Sequence, residues 1–483
     1  MKNISKKLIG IVIVVLILIA AFVKPYNNMV SKDETCSKAW SNVENAYQRR
    51  LDLIPNLVKT VQGAADYERG TLESVIEARS KATSVQVDAN NLTEEAIAKF
   101  QEAQDQLSSA LSKMLVTVER YPELKANQNF LELQAQLDLS LYGMLSSAGT
   151  DGRSNVAAKG LSGEGYEGHY FWDSEIYVFP FFLFSEPKTA KALLTYRYHH
   201  LSDAKAHARR MGHRVGALYP WRTITGSECS SHYPTGSAQY HINGDIARAF
   251  AGYYDATGDT GFLPEICEVL VETARLWMDA GHWLDGRFRI DCVTGPDEYT
   301  CLVNNNYYTN ACAAANLSAA ERLCGELEKQ GGLCALSEKL SLTKEELAEF
   351  GRAAKYMYFP YSADGRIIAQ DDSFLQKKRW DFRSLPKEDF PLLMHYHPLL
   401  INRAQVLKQA DSVLANYLYR EESPLMMMRS YRYYEEVTTH DSSLSNCIYA
   451  IMAARLGDLS GAWKYFENSI GTDTDDQNGC EAF

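Results

Sequence analysis

A chain of 483 residues is too long for one ordinary domain and points to two or three. With 46% hydrophobic and 23% charged residues the composition excludes a disordered chain. A formal net charge of −12 excludes the basic footprint that non-specific nucleic-acid binding needs, and suits a small, neutral substrate.

In chain order, Lys2, Lys6 and Lys7 precede an uncharged run from Leu8 to Val23, closed by Lys24, Pro25 and Tyr26. Residues 1–25 read as a single-pass membrane anchor. The run is slightly shorter than the ~20 residues that span a bilayer, though flanking lysines can snorkel. The alternative is a cleaved signal peptide, but Phe22, Val23 and Lys24 leave no small-x-small cleavage site. A basic N-terminus that stays cytoplasmic would place the rest outside. The ten cysteines contain no Cys-x-x-Cys pair, so no metal site is expected, and they suit a reducing compartment. The side of the membrane is thus left open.

Residues 26–138 read as long helices with few breakers. Leu57, Val58 and Val61 share one helix face, and Thr93 is placed to cap a helix running towards Val118. From 139 to 483 the pattern is helix, Gly or Pro loop, helix, with strand alternation nearly absent. Ser185 is placed to cap a helix entered through Pro187, and Met211-Gly212 closes another. Ile266, Leu270, Ala274 and Trp277 recur at helical spacing, with Gly281 just beyond. Further helices are expected over Arg403 to Tyr419, Ser442 to Leu456 and Gly461 to Ser469.

Four segments in this part carry unusual chemistry. Gly163-Glu164-Gly165-Tyr166-Glu167-Gly168 matches a dinucleotide fingerprint only by accident, because no strand precedes it. It reads better as a loop that brings Trp172 and Asp173 to a sugar, Trp offering an apolar face and Asp accepting hydroxyl hydrogen bonds. Gly295-Pro296-Asp297-Glu298-Tyr299 is a rigid turn with adjacent carboxylates, the setting in which a carboxylic acid serves as general acid. Lys408-Gln409-Ala410-Asp411 follows, with its polar pair read as early on a helix. Thr438-Thr439-His440-Asp441-Ser442-Ser443-Leu444-Ser445 ends at a helix N-terminus, where backbone N–H groups favour an anion. A Ser-His-Asp hydrolase is not indicated, since the G-x-S-x-G elbow is missing.

These four segments in this order resemble the catalytic domain of glycoside hydrolase family sixty-five, which contains inverting phosphorylases of maltose, trehalose, kojibiose and nigerose, and some hydrolases. Ahead of them, Tyr26-Asn27-Asn28-Met29-Val30, Trp40, the segment from Tyr47 to Val58 and the segment from Glu119 to Asn127 resemble the LemA family of antiparallel helical bundles. The resemblances imply an all-α chain: an N-terminal transmembrane helix, a LemA-like bundle over 26–138, and a partial (α/α)6 barrel over 139–483 that is incomplete at its C-terminus. No linker-like composition separates the two families' patterns.

The glycoside hydrolase resemblance also implies roles. Glu298 matches the general acid; Trp172, Asp173, Lys408 and Gln409 match glucose-binding positions; His440, Ser442 and Ser443 match the phosphate site. The expected reaction is phosphorolysis of an α-linked glucose disaccharide to β-glucose 1-phosphate and glucose, with inorganic phosphate as co-substrate and no cofactor. An inverting hydrolase needs a second carboxylate to activate water, and Glu435 or Glu436 would be its source, so hydrolysis stands as an alternative. A membrane-anchored helical scaffold carrying an inactive enzyme fragment is the other. The expected partners are sugar, phosphate and, through the first helix, a membrane.

Overall fold

The computed structural model describes residues 69–84, most of 96–110, and 128–472 apart from 162 and 164. The chain divides into two compact units, 1–135 and 136–483. In the first, helix α1 (Arg69–Ser84) buries Val75, Ala78 and Ala82, and the helical residues between 96 and 110 bury Phe100, Ala103, Leu107 and Ala110. Both sets recur every three or four residues, so each helix has one apolar stripe. The expected helix faces at 57–61 and the cap at Thr93 lie outside the described residues. Helix α2 (Gln128–Ser147) carries the chain into the second unit.

The membrane expectation is corrected. Among the described residues no helix is long and apolar enough to cross a membrane. The run from Leu8 to Val23 lies outside them, and it falls short of the ~20 residues a bilayer requires. The transmembrane helix, the membrane partner and the single-pass membrane localisation are therefore withdrawn.

The second unit is helix packed on helix: α3 (Phe179–Ser185), α4 (Pro187–His199), α5 (Leu201–Arg210), α6 (His241–Thr257), α7 (Leu263–Ala280), α8 (Tyr307–Lys329), α9 (Leu333–Leu340) and α10 (Lys344–Lys355). The C-terminal part adds the short α11 (Leu392–His395) and α12 (Pro398–Ile401), then α13 (Ser412–Leu418), α14 (Pro424–Val437), α15 (Ser443–Arg455) and α16 (Leu459–Ile470). Helix α8 is the hub and packs on α6, α7, α10 and α13. In α7 the predicted stripe of Ile266, Leu270, Ala274 and Trp277 is fully buried. The Trp277 indole donates to Asn316 Oδ1 on α8 at 2.9 Å, so its one polar atom is satisfied inside the core. Pro187 enters α4 at its first turn as expected, but the cap position is Glu186 rather than Ser185.

Two departures from the sequence reading bear on the site. A hairpin, β1 (Gly281–Leu284) with β2 (Arg287–Ile290), was not anticipated. Its signal is the Asp285-Gly286 pair, where both residues adopt the positive φ that a tight hairpin turn demands. The helix expected from Arg403 to Tyr419 is only α13. Residues 404–405 instead form β4 (Ala404–Gln405), parallel to β3 (Lys378–Arg379). Leu407 N–H then donates to Val437 O and its carbonyl accepts from Thr439 N–H. The apolar residues Val406, Leu407 and Ala410 mimic a helix stripe, but lateral pairing claims the Leu407 N–H and C=O groups first.

Candidate active site

Hairpin β1–β2 leads directly into the acidic turn. Val293 and Val303 exchange both backbone hydrogen bonds, at 3.0 and 2.9 Å, and pinch the loop between them at its neck. Inside, a Cβ at Gly295 would collide with Asp411 Oδ2 and Asn306 Nδ2, so the close approach requires glycine. Asn306 caps α8 by accepting from Thr309 N–H at 2.8 Å, while its amide donates to both Asp411 oxygens at 3.1 Å. Asp411 Oδ2 in turn accepts from Asp297 N–H at 3.3 Å. The 295–299 and 408–411 segments are thus one mesh.

Asp297 and Glu298 have opposite fates. Asp297 is fully buried and accepts from Lys408 N–H at 2.7 Å, Gln370 Nε2 at 3.0 Å and Tyr299 N–H at 3.3 Å. Burial pushes its carboxyl up to about 6 against the pull of those donors. It acts as a strut for the turn. Glu298 is 17% exposed, and its Oε2 meets Lys408 Nζ at 2.6 Å while Oε1 accepts from Gln239 Nε2 at 3.3 Å. Glu298 is therefore the carboxyl in this turn that a substrate can reach.

The other candidates distribute as follows. Asp173 follows Trp172 at the entrance to a π-turn, Ser174–Val178, a geometry that recurs at functional sites. Burial raises its carboxyl to about 7; the charges of Glu298 and Glu175 add to the shift and Lys408 opposes it. Asp173, Glu298 and Lys408 accordingly share one electrostatic neighbourhood. Asp173 makes no capping hydrogen bond. Trp172 is buried, edge-on to His241 at 4.9 Å and to Tyr177 at 5.6 Å, so it forms part of the wall behind Asp173. Gln409 is buried with its amide on Pro296 O at 2.6 Å, bracing the acidic turn.

In the anion loop, Ser442 caps α15 by accepting from Leu444 N–H at 3.3 Å, and Ser443 is the exposed first helical residue. His440 takes a positive φ of 60°, places Nδ1 2.8 Å from Ser445 Oγ, and leaves Nε2 buried without a partner. Burial lowers its pKa to about 4, helped by the positive charges of Lys464 and Arg383. The imidazole is therefore neutral near pH 7 and stands in a positive field. Asp441 ties this loop to the acidic turn: its Oδ2 accepts from the Tyr299 hydroxyl and from Leu392 N–H. The two carboxylates considered as water-activating bases are engaged elsewhere. Glu436 is exposed and pairs with Arg379 at 3.2 Å, and Glu435 accepts from Tyr465 Oη at 2.8 Å.

Sequence reasoning missed Gln239, Gln370 and Asn306, single amides from separate loops that carry no local pattern. It also missed His241 and Asp245, whose i, i+4 spacing on α6 was a usable signal.

Comparison with known proteins bears on the same residues. The glycosyl hydrolase family 65 central catalytic domain matches residues 138–481, and the LemA family matches 39–140. The chain is 56% identical over 351 residues to an alpha,alpha-trehalose phosphorylase of Geobacillus stearothermophilus, covering 72% of this chain and 46% of that protein. It is 43% identical to the alpha,alpha-trehalose phosphorylase of Thermoanaerobacter brockii, over 85% of this chain and 54% of that one. Kojibiose phosphorylase of Halothermothrix orenii is 38% identical over 69% of this chain and 45% of its own length. A solved structure of a putative kojibiose phosphorylase from the human microbiome superposes with a TM-score of 0.67 at 29% identity, over 82% of this chain and 56% of that one. The chain spans about half the length of the curated relatives it matches.

Proposed function

The chain belongs to glycosyl hydrolase family 65 through its central catalytic domain, and on that premise we propose that it cleaves an α-linked glucose disaccharide by inverting phosphorolysis, giving β-glucose 1-phosphate and glucose. Trehalose is the first substrate to test, because the relative at 56% identity carries that name. Glu298 is the general acid that protonates the departing glycosidic oxygen. Asp173, Lys408 and Gln409 hold the glucose being transferred, against the wall that includes Trp172. Lys408, which meets Glu298 at 2.6 Å, turns to a sugar hydroxyl and frees the acid's outer oxygen. Phosphate enters from the anion loop and attacks the anomeric carbon from the face opposite the leaving oxygen. The C–O bond to the leaving glucose breaks as the C–O bond to phosphate forms.

The observation that carries phosphorolysis is the state of His440. Its buried Nε2 has no partner, and it carries the proton of the neutral ring when Ser445 Oγ–H donates to Nδ1. That N–H, the α15 N-terminus with Ser442 and Ser443, and the field of Lys464 and Arg383 suit an anion better than water. Hydrolysis would need a free carboxylate base, and Glu435 and Glu436 are engaged with other side chains. His440→Ala should raise the phosphate KM about 10- to 100-fold, the equivalent of roughly 1.5–3 kcal/mol for one hydrogen bond to a charged group, and leave the sugar KM within about threefold. An unchanged phosphate KM would move the anion site elsewhere.

A further inference from the structure

Behind Glu298 lies a chain of buried polar groups with no assigned role. Gln239 sits in the turn before α6, and its Nε2 donates to Thr235 O at 2.9 Å and to Glu298 Oε1 at 3.3 Å. Its Oε1 lies 3.0 Å from His241 Nε2. His241 Nδ1 lies 2.7 Å from Asp245 Oδ2, and Asp245 Oδ1 accepts from the hydroxyls of Tyr308 and Tyr419, each at 2.6 Å. His241 and Asp245 are wholly buried, with Trp172 and Tyr308 edge-on to the imidazole.

The direction of the bonds on the Gln239 amide follows from its partners. Thr235 O can only accept, so the Gln239 amide must present its NH2 there, and its oxygen therefore faces His241. His241 Nε2 must carry hydrogen to meet that oxygen. Nδ1 meets Asp245 Oδ2, on the carboxyl whose other oxygen already accepts two hydroxyls. Both hydrogens of the Gln239 NH2 are thereby committed, one to Thr235 O and one to Glu298 Oε1. An oxygen that accepts from an amide N–H is a poor place for the acid's own proton.

We propose that the buried His241–Asp245 pair is a positioning device that locks the Gln239 amide, so that Glu298 Oε1 is kept as an acceptor and the acid's proton is confined to Oε2. Oε2 is the oxygen facing Lys408. With His241 removed, the amide oxygen loses its partner and Thr235 O alone holds the NH2, so the contact to Glu298 Oε1 loosens and the proton is no longer confined to Oε2. His241 and Asp245 touch no substrate in this scheme and act through Gln239. The inference rests on the proposed phosphorolysis and deepens it.

The test separates proton delivery from everything else the site does. In the full-length chain, His241→Asn keeps a donor near Asp245 and removes the contact to Gln239. The variant and the wild type are compared with phosphate on trehalose, whose leaving oxygen needs a proton, and on α-glucosyl fluoride, whose fluoride leaves as the anion with the bonding pair. The expected result is a fall in kcat on trehalose of about 10- to 100-fold, a part of the full general-acid effect, with KM within about threefold and turnover of the fluoride within about threefold. Equal losses on both substrates would show a merely structural role and overturn the proposal, as would no loss on either. A wild-type chain that turns over neither substrate defeats the phosphorolysis reading itself, and this inference with it. Should His241→Asn not fold, Gln239→Met removes the amide while leaving the buried pair in place, and the same ratio decides.

Discussion

Adjacent carboxylates in one turn are divided by their surroundings: Asp297 is buried as a strut, and Glu298 faces the site. Glu298→Gln keeps the shape and removes the proton, so kcat should fall by ~10²–10⁴-fold with little change in KM; full activity in the variant would remove the assignment. Asp173 gives a pH prediction. Its folded value of about 7 lies above the ordinary 3.8, because burial disfavours the charged form. The folded state thus binds the proton more tightly than the unfolded one. The associated stability is present while Asp173 is protonated, and is lost as pH rises from 3.8 towards 7. Asp173→Asn abolishes that loss, so its melting temperature relative to wild type should be higher at pH 8 than at pH 4. A contribution of about 1 kcal/mol corresponds to roughly 2–4 °C in a domain of some 200 residues, and to less in a larger one. Calorimetry at the two pH values decides the sign. At this scale the sequence pointed to residues that lie inside a contiguous motif, such as Glu298. It was silent where a role depends on one amide from a distant loop, as with Gln239 and Gln370.

The elements hold these residues through a few specific ties. The π-turn Ser174–Val178 is anchored by a buried pair, Arg197 Nε to Glu175 Oε1 at 2.7 Å, and the same guanidinium donates to Phe171 O at 3.0 Å. Arg197→Leu leaves Glu175 buried without its charge partner, a change that costs about 3–5 kcal/mol; urea unfolding of the variant measures it, and a loss below about 1 kcal/mol would contradict the anchoring role. Helices with a full apolar stripe, such as α7, were legible because periodicity and burial have the same cause. The 403–411 segment was not. Its apolar spacing fits a helix, yet pairing of Leu407 with 437–439 is a contact between residues far apart in sequence, invisible to a local pattern. That same pairing brings Lys408 and the anion loop to the acidic turn.

At the scale of the whole molecule, every candidate site residue lies in the unit 136–483. Limited proteolysis that trims the first unit should leave kcat and both KM values within about twofold, about 0.4 kcal/mol. Loss of activity in step with loss of the N-terminal fragment would show that the first unit completes the site. The family membership and the helical class were readable because ordered motifs survive in the sequence. The membrane expectation rested on a short apolar run with its flanking lysines, and no helix among the described residues is long and apolar enough to cross a membrane. The central claim is that phosphate, not water, is the nucleophile. Incubating the full chain with trehalose, with and without inorganic phosphate, and following the anomeric proton signals tests it most directly. Consumption only in the presence of phosphate, with β-glucose 1-phosphate as the first product, is the predicted result. Release of glucose at the same rate without phosphate, and with no sugar phosphate formed, would contradict it.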